Sequence, residues 1–93
     1  LETKKGINAK NIYIFLKKYH RNNIFVKISK FNKPIGTGDV MNTNYCEISV
    51  CEDRKKNKII VFSAIDNLIK GGSGQAVQNM NVAFNIKESL GLI

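Results

Sequence analysis

The part of this 93-residue chain best equipped for chemistry is residues 63–81, which read SAIDNLIKGGSGQAVQNMN. An acid–amide pair (Asp66, Asn67) is followed by Lys70, by Gly71, Gly72 and Gly74, and by a run of amides ending in Asn81. Asn and Gln each offer both a donor and an acceptor, which a neutral carboxamide such as nicotinamide requires of its partner. The glycines oppose a helix here by roughly 3 kcal/mol, at about 1 kcal/mol each relative to alanine. On these residues alone two readings stand. In one, the segment is a glycine-rich loop whose Ser73 caps the next helix. In the other, the glycines let the backbone approach a ligand or a neighbouring element closely. A phosphate cradle is not supported: there is neither a G-x-G-x-x-G after a strand nor a G-x-x-x-x-G-K followed by Ser or Thr.

The other reactive side chains form no comparable group. Cys46 and Cys51 lie on one expected strand, on opposite faces, and read as reduced thiols. With His20 as the single histidine, a zinc site lacks its usual four ligands. The net charge of +8 favours an anionic partner, without choosing among nucleic acid, a phosphorylated ligand and an acidic surface.

The elements that must position these residues follow from periodicity. Ile12, Phe15, Leu16 and Tyr19 form one stripe of a helix over residues 7–19, with Asn8 as N-cap and Ile7 and Ile12 as a hydrophobic staple. Residues 24–29 alternate as a strand, with Ile24, Val26 and Ile28 on one face. Residues 30–43 carry Pro34, Gly36, Gly38 and Asp39 and read as a long loop. Residues 45–52 alternate again, 53–57 turn, and the β-branched run 58–63 suits a well-buried strand, giving an antiparallel hairpin. Residues 75–84 place Ala76, Val77, Met80 and Phe84 on a helical stripe, with Gln78, Asn79 and Asn81 on the other faces. The expected fold is a single α+β unit over residues 1–93, of order α-β-β-β-α, with helices packed on an antiparallel sheet. No apolar run approaches the roughly 18 residues of a membrane span, so a soluble, cytoplasmic protein is expected.

At residues 64–71 and 74–81 (AIDNLIKG and GQAVQNMN) the chain closely resembles the end of N-acetyl-gamma-glutamyl-phosphate reductases. Pro34, Thr37, Val40 and the run Thr43-Asn44-Tyr45-Cys46 are similar to the family's loop and strand, and Glu88 with Gly91-Leu92 to its C-terminus. The resemblance covers about the last sixty residues firmly. It implies the C-terminal portion of an NADP-dependent enzyme of arginine biosynthesis, with a C-terminal domain like that of glyceraldehyde-3-phosphate dehydrogenase. Such enzymes reduce an acyl phosphate to an aldehyde through a cysteine thioester. The nucleophile, the catalytic histidine and the dinucleotide-binding domain would lie upstream, so no catalytic residue is assigned here and the fragment alone is expected to be inactive. The complete enzyme would be a homo-oligomer. The resemblance also implies that Asn67 reaches the nicotinamide amide, with Lys70 and the backbone of Gly71 as adjacent cofactor-binding candidates, and that the chain is helical from about Leu68, with Asp66 or Asn67 capping. A freestanding basic module that binds RNA through its sheet is the alternative, and it requires aromatic side chains on an exposed strand face.

Overall fold

The computed structural model describes residues 1–55 and 57–93. Helix α1, Ala9–Tyr19, begins where Asn8 predicts it. The amide of Asn11 donates to Asn8 Oδ1 at 2.9 Å, and the Asn8 amide donates to Asn11 Oδ1 at 3.0 Å. Each side chain thus satisfies a backbone donor that the helix start leaves free. Its inward face is Ala9, Ile12, Tyr13 and Leu16, packed on Val50 and Ile59 of the sheet. Phe15 and Tyr19, which periodicity assigned to the same stripe, instead stack on each other at 5.9 Å in solvent.

The sheet has three strands in the order β1 (Val26–Ile28), β2 (Cys46–Glu52), β3 (Ile59–Ile65). Strands β2 and β3 form the expected antiparallel hairpin, in register from Cys46↔Ile65 to Glu52↔Ile59. The sheet as a whole is mixed rather than antiparallel, because β1 pairs parallel to β2 through Val26↔Cys46, Lys27↔Glu47 and Ile28↔Ile48. The cause lies in residues 29–45, which return to the starting end of the sheet before β2 begins. Parallel pairing needs a crossover of a dozen or more residues, and this segment is long enough. It is tied down as it goes: Ser29 donates to the Ile48 carbonyl and Asn32 to that of Val50, each at 2.9 Å. The hydroxyl of Ser49 bonds the Lys33 carbonyl.

Strand faces differ from the expectation as well. Phe25, not Ile24, is buried at the entrance to β1, and in β3 only Ile59 and Ala64 are buried. Ile60, Val61 and Ile65 remain 41%, 38% and 38% exposed, so the run read as well buried is half open here.

Helix α2, Gly74–Ala83, packs opposite to its hydrophobic pattern. Gly74 and Asn81 are buried while Met80 and Phe84 are exposed, Phe84 by 73%. The reason is a hydrogen-bond demand from the tail: Asn81 Nδ2 donates to the carbonyls of Glu88 and Leu90, both at 3.0 Å. Asn81 is buried, and a buried amide without acceptors would cost about 1–3 kcal/mol.

Candidate cofactor-facing site

The acid–amide pair sits where β3 runs out. Asp66 Oδ1 accepts from the amides of Leu68 and Ile69 at 2.9 and 3.2 Å, capping the turn that follows. Its Oδ2 accepts from the Asn42 amide at 2.8 Å, fastening that turn to the crossover segment. The Asn42 amide, then that of Leu68, hold the Asp66 carboxyl below the usual carboxylate range against the opposing effect of desolvation, with a lesser contribution from the Ile69 amide. The capping expected at Asp66 or Asn67 therefore belongs to Asp66.

From Leu68 the chain coils, but more widely than an α-helix. The amides of Gly71 and Ser73 donate five residues back, to Asp66 and Leu68, at 3.1 Å each. The Gly74 amide does the same to Ile69. This wide turn, Ile69–Ser73, is kinked at Gly72, just ahead of α2, where the backbone leaves helical values (φ −137°, ψ −112°). Ser73 does not cap α2, as the loop reading had it; its hydroxyl donates to the Leu68 carbonyl at 3.2 Å. Of the two readings of the glycines, close approach holds at Gly74. A β-carbon there would collide with Asn44 Oδ1 and lie 2.6 Å from the Ile69 carbonyl oxygen. Asn44 Oδ1 is buried and has no hydrogen-bond partner among the described residues, and it faces the Gly74 backbone instead.

Beneath the turn lies a polar network. Gln78 Oε1 accepts from Lys70 Nζ at 2.6 Å and from Asn44 Nδ2 at 2.9 Å. Gln78 Nε2 donates to Glu88 Oε2 at 2.7 Å. One amide thus joins the wide turn, the segment leading into β2 and the C-terminal tail, with charges of opposite sign on its two ends.

The sequence candidates take different positions in this arrangement. Lys70 is half-buried, its ammonium drawn onto Gln78 and 5.5 Å from the Phe25 ring centroid. Gly71 is exposed, but its amide is already committed to Asp66. Asn67 stands exposed beside it, its Oδ1 leaning over Gly71, and none of the hydrogen bonds holding the turn engages its side chain. An exposed carboxamide at a fixed strand end, with neither donor nor acceptor engaged among the described residues, could pair with a neutral amide such as that of a nicotinamide ring. Asn44, Gln78 and Glu88 went unrecognised as a group. The spacing of Gly74, Gln78 and Asn81, at i, i+4 and i+7, was the signal that one polar stripe of α2 faces inward.

Among the described residues, Phe25 and Tyr45 do not form the exposed aromatic platform required by an RNA-binding sheet. Phe25 is buried, Tyr45 packs against it at 5.8 Å, and Lys27 covers the Tyr45 ring at 3.9 Å. Among the described residues there is no cluster of three or more potential metal ligands, and no helix is long and apolar enough to cross a membrane.

Residues 1–67 match the family model described as the semialdehyde dehydrogenase dimerisation domain. The chain belongs to this family. Similarity to named proteins extends past the domain match into the wide turn and α2. The chain is 43% identical over 96% of its length to an N-acetyl-gamma-glutamyl-phosphate reductase of Thermoanaerobacter pseudethanolicus, and 40% identical over 95% to one of Brachyspira hyodysenteriae. It is 40% identical over 99% to a probable chloroplastic one of Oryza sativa subsp. japonica. Helix α1, which the sequence resemblance placed only by position, falls inside this similarity. The chain spans about a quarter of the length of these relatives: 26%, 25% and 22% respectively.

Proposed function

We propose that this dimerisation domain works as the closing part of an NADP-dependent N-acetyl-gamma-glutamyl-phosphate reductase of arginine biosynthesis, and that Asn67 is its contact with the cofactor. The observation that carries the reading is the exposed Asn67 carboxamide, presented at the end of β3 by a turn whose hydrogen bonds run through Asp66, Gly71 and Ser73 and leave the Asn67 side chain out. The bound cofactor supplies the hydride that takes an acyl group to an aldehyde. This chain's part is to orient: Asn67 donates to and accepts from the ring amide and fixes which face is presented. Lys70 and Gly71 act behind it, Lys70 by anchoring the turn to Gln78 and Gly71 by giving its amide to Asp66. Neither Cys46 nor Cys51 serves as nucleophile, Cys51 being buried in the sheet. The exposed apolar residues of β3 and α2 are surfaces for the rest of the reductase and for a second subunit, and the assembly is cytoplasmic.

The test is a reductase assay with NADPH and N-acetyl-gamma-glutamyl phosphate, run on the full-length protein and on the 93-residue chain. Turnover by the full-length protein alone is expected. Activity in the isolated chain, or none in the full-length protein, overturns the reading.

A further inference from the structure

Strand β3 is an edge strand in position but not in composition. Residues Ile59–Ile65, IIVFSAI, contain no charge, no proline and no glycine. Natural edges are blunted by charge, proline, bulges or shortness, whereas an uninterrupted β-branched run belongs between two neighbours.

The outer side of β3 already has a ladder begun on it. Leu1 and Ile59 exchange both of their backbone hydrogen bonds, at 2.8 Å each, and the Thr3 amide donates to the Asn57 carbonyl at 2.7 Å. With Glu2 opposite Lys58 in an antiparallel bridge, the segment runs against β3 in a fixed register. In an antiparallel ladder both polar groups of a residue point to one side, and the side alternates along the strand. Since Ile59 faces Leu1, the amides and carbonyls of Val61, Ser63 and Ile65 also face outward, where no described strand meets them. Those of Ile60, Phe62 and Ala64 face β2, opposite Cys51, Ser49 and Glu47.

We propose that the polypeptide leading into Leu1 in the full-length protein continues this ladder as a further strand, antiparallel to β3 and covering Val61, Ser63 and Ile65. The register is set by the Leu1–Ile59 pair: the residue two before Leu1 lies opposite Val61, and those four and six before it lie opposite Ser63 and Ile65. A second copy of the chain would have to displace Leu1 to reach the same edge in register. The added strand clamps Ile65, the residue from which Asp66 and Asn67 are hung, so the candidate site and the path of the incoming chain become one rigid unit.

The proposal rests on the chain being part of the longer protein named above, and its test does not use catalysis, so the two can fail separately. Amide hydrogen exchange is measured in the full-length protein, with the amides of Ile60, Phe62 and Ala64, which face β2, as the internal reference. The amides of Val61, Ser63 and Ile65 are expected to exchange as slowly as that reference at every protein concentration. Exchange about a hundredfold faster than the reference, or protection that disappears on dilution to monomer, overturns the proposal. A cross-link gives the register. Ala64→Cys, combined with a cysteine at the fifth residue before Leu1, forms a non-hydrogen-bonded pair at about 4.5 Å between Cα atoms, within disulfide reach. Oxidation is expected to close the bridge within one chain. A bridge only between chains, or none in a folded protein, overturns it.

Discussion

The carboxamide oxygen of Asn44 occupies the space that a β-carbon at Gly74 would need. Asn44 is buried two residues before β2 and Gly74 opens α2, so their contact sets how closely the wide turn lies on the sheet. Gly74→Ala would gain helix propensity of about 1 kcal/mol. Against that, the new carbon meets the Ile69 carbonyl oxygen at 2.6 Å, and backbone can yield only by moving the turn. Overpacking of this kind costs about 1–3 kcal/mol, so net destabilisation is expected in urea unfolding. Gly71→Ala is the contrast: its β-carbon would meet the movable end of Asn67 at 3.1 Å and should change stability little.

Gln78 is the joint of the network, and its substitution separates a hydrogen-bond role from a surface one. Gln78→Glu replaces the donor to Glu88 with a second carboxylate while keeping the acceptor for Lys70 and Asn44. A loss of about 1–3 kcal/mol is expected. Adding Glu88→Gln restores a donor facing an acceptor, so a double-mutant cycle should recover most of that loss. Additive effects in the cycle would mean that the Gln78–Glu88 contact contributes nothing.

How far the sequence foretold this arrangement depends on how local each signal is. The Asn8 cap and the 46–65 hairpin follow from neighbouring residues and appear as expected. Pairing of β1 with β2 is decided by the path of residues 29–45, whose turns carry no periodicity, and the parallel direction was missed. The inverted packing of α2 was hidden for a different reason. Its apolar stripe is present, but Met80 and Phe84 face away from this domain, while Asn81 turns in to serve carbonyls of a tail that follows it. Hydrophobic periodicity identifies a face without saying which neighbour it is for. At the candidate site, Asn67 is implied by family resemblance alone, whereas the inward bond of Lys70 depends on the position of Gln78.

Asp66 gives the wide turn an acid dependence. Its carboxylate accepts from Asn42, Leu68 and Ile69, which holds the folded-state pKa below that of the unfolded chain. The contribution is therefore complete above the ordinary carboxylate range and is lost as pH falls through the depressed folded value. Asp66→Asn keeps an acceptor but removes the charge, so the variant should be less stable near neutrality and show a flatter decline in acid. Thermal melts of both proteins across the acidic range test this; parallel profiles would show that Asp66 does not contribute to the acid limb.

Asn67 is the position where a side chain can be changed without disturbing what holds it. The turn is fixed by Asp66 and by the amides of Gly71 and Ser73, and the Asn67 carboxamide takes no part in those bonds. Asn67→Asp keeps size and acceptor and removes the donor. If Asn67 contacts the cofactor as proposed, one hydrogen bond to the cofactor amide is then lost in the full-length protein. The expected loss is about 1–3 kcal/mol, roughly ten- to hundredfold in kcat/KM. If the bond orients the ring for transfer, kcat should fall along with affinity; if it only binds, KM for NADPH rises while kcat holds. Lys70→Met supplies the control, because its ammonium bonds Gln78 within the domain and its loss should appear in stability. Steady-state kinetics at varied NADPH, with melting curves of both variants, decide between the roles. A folded Asn67→Asp enzyme with parental kcat/KM would mean that Asn67 does not touch the cofactor.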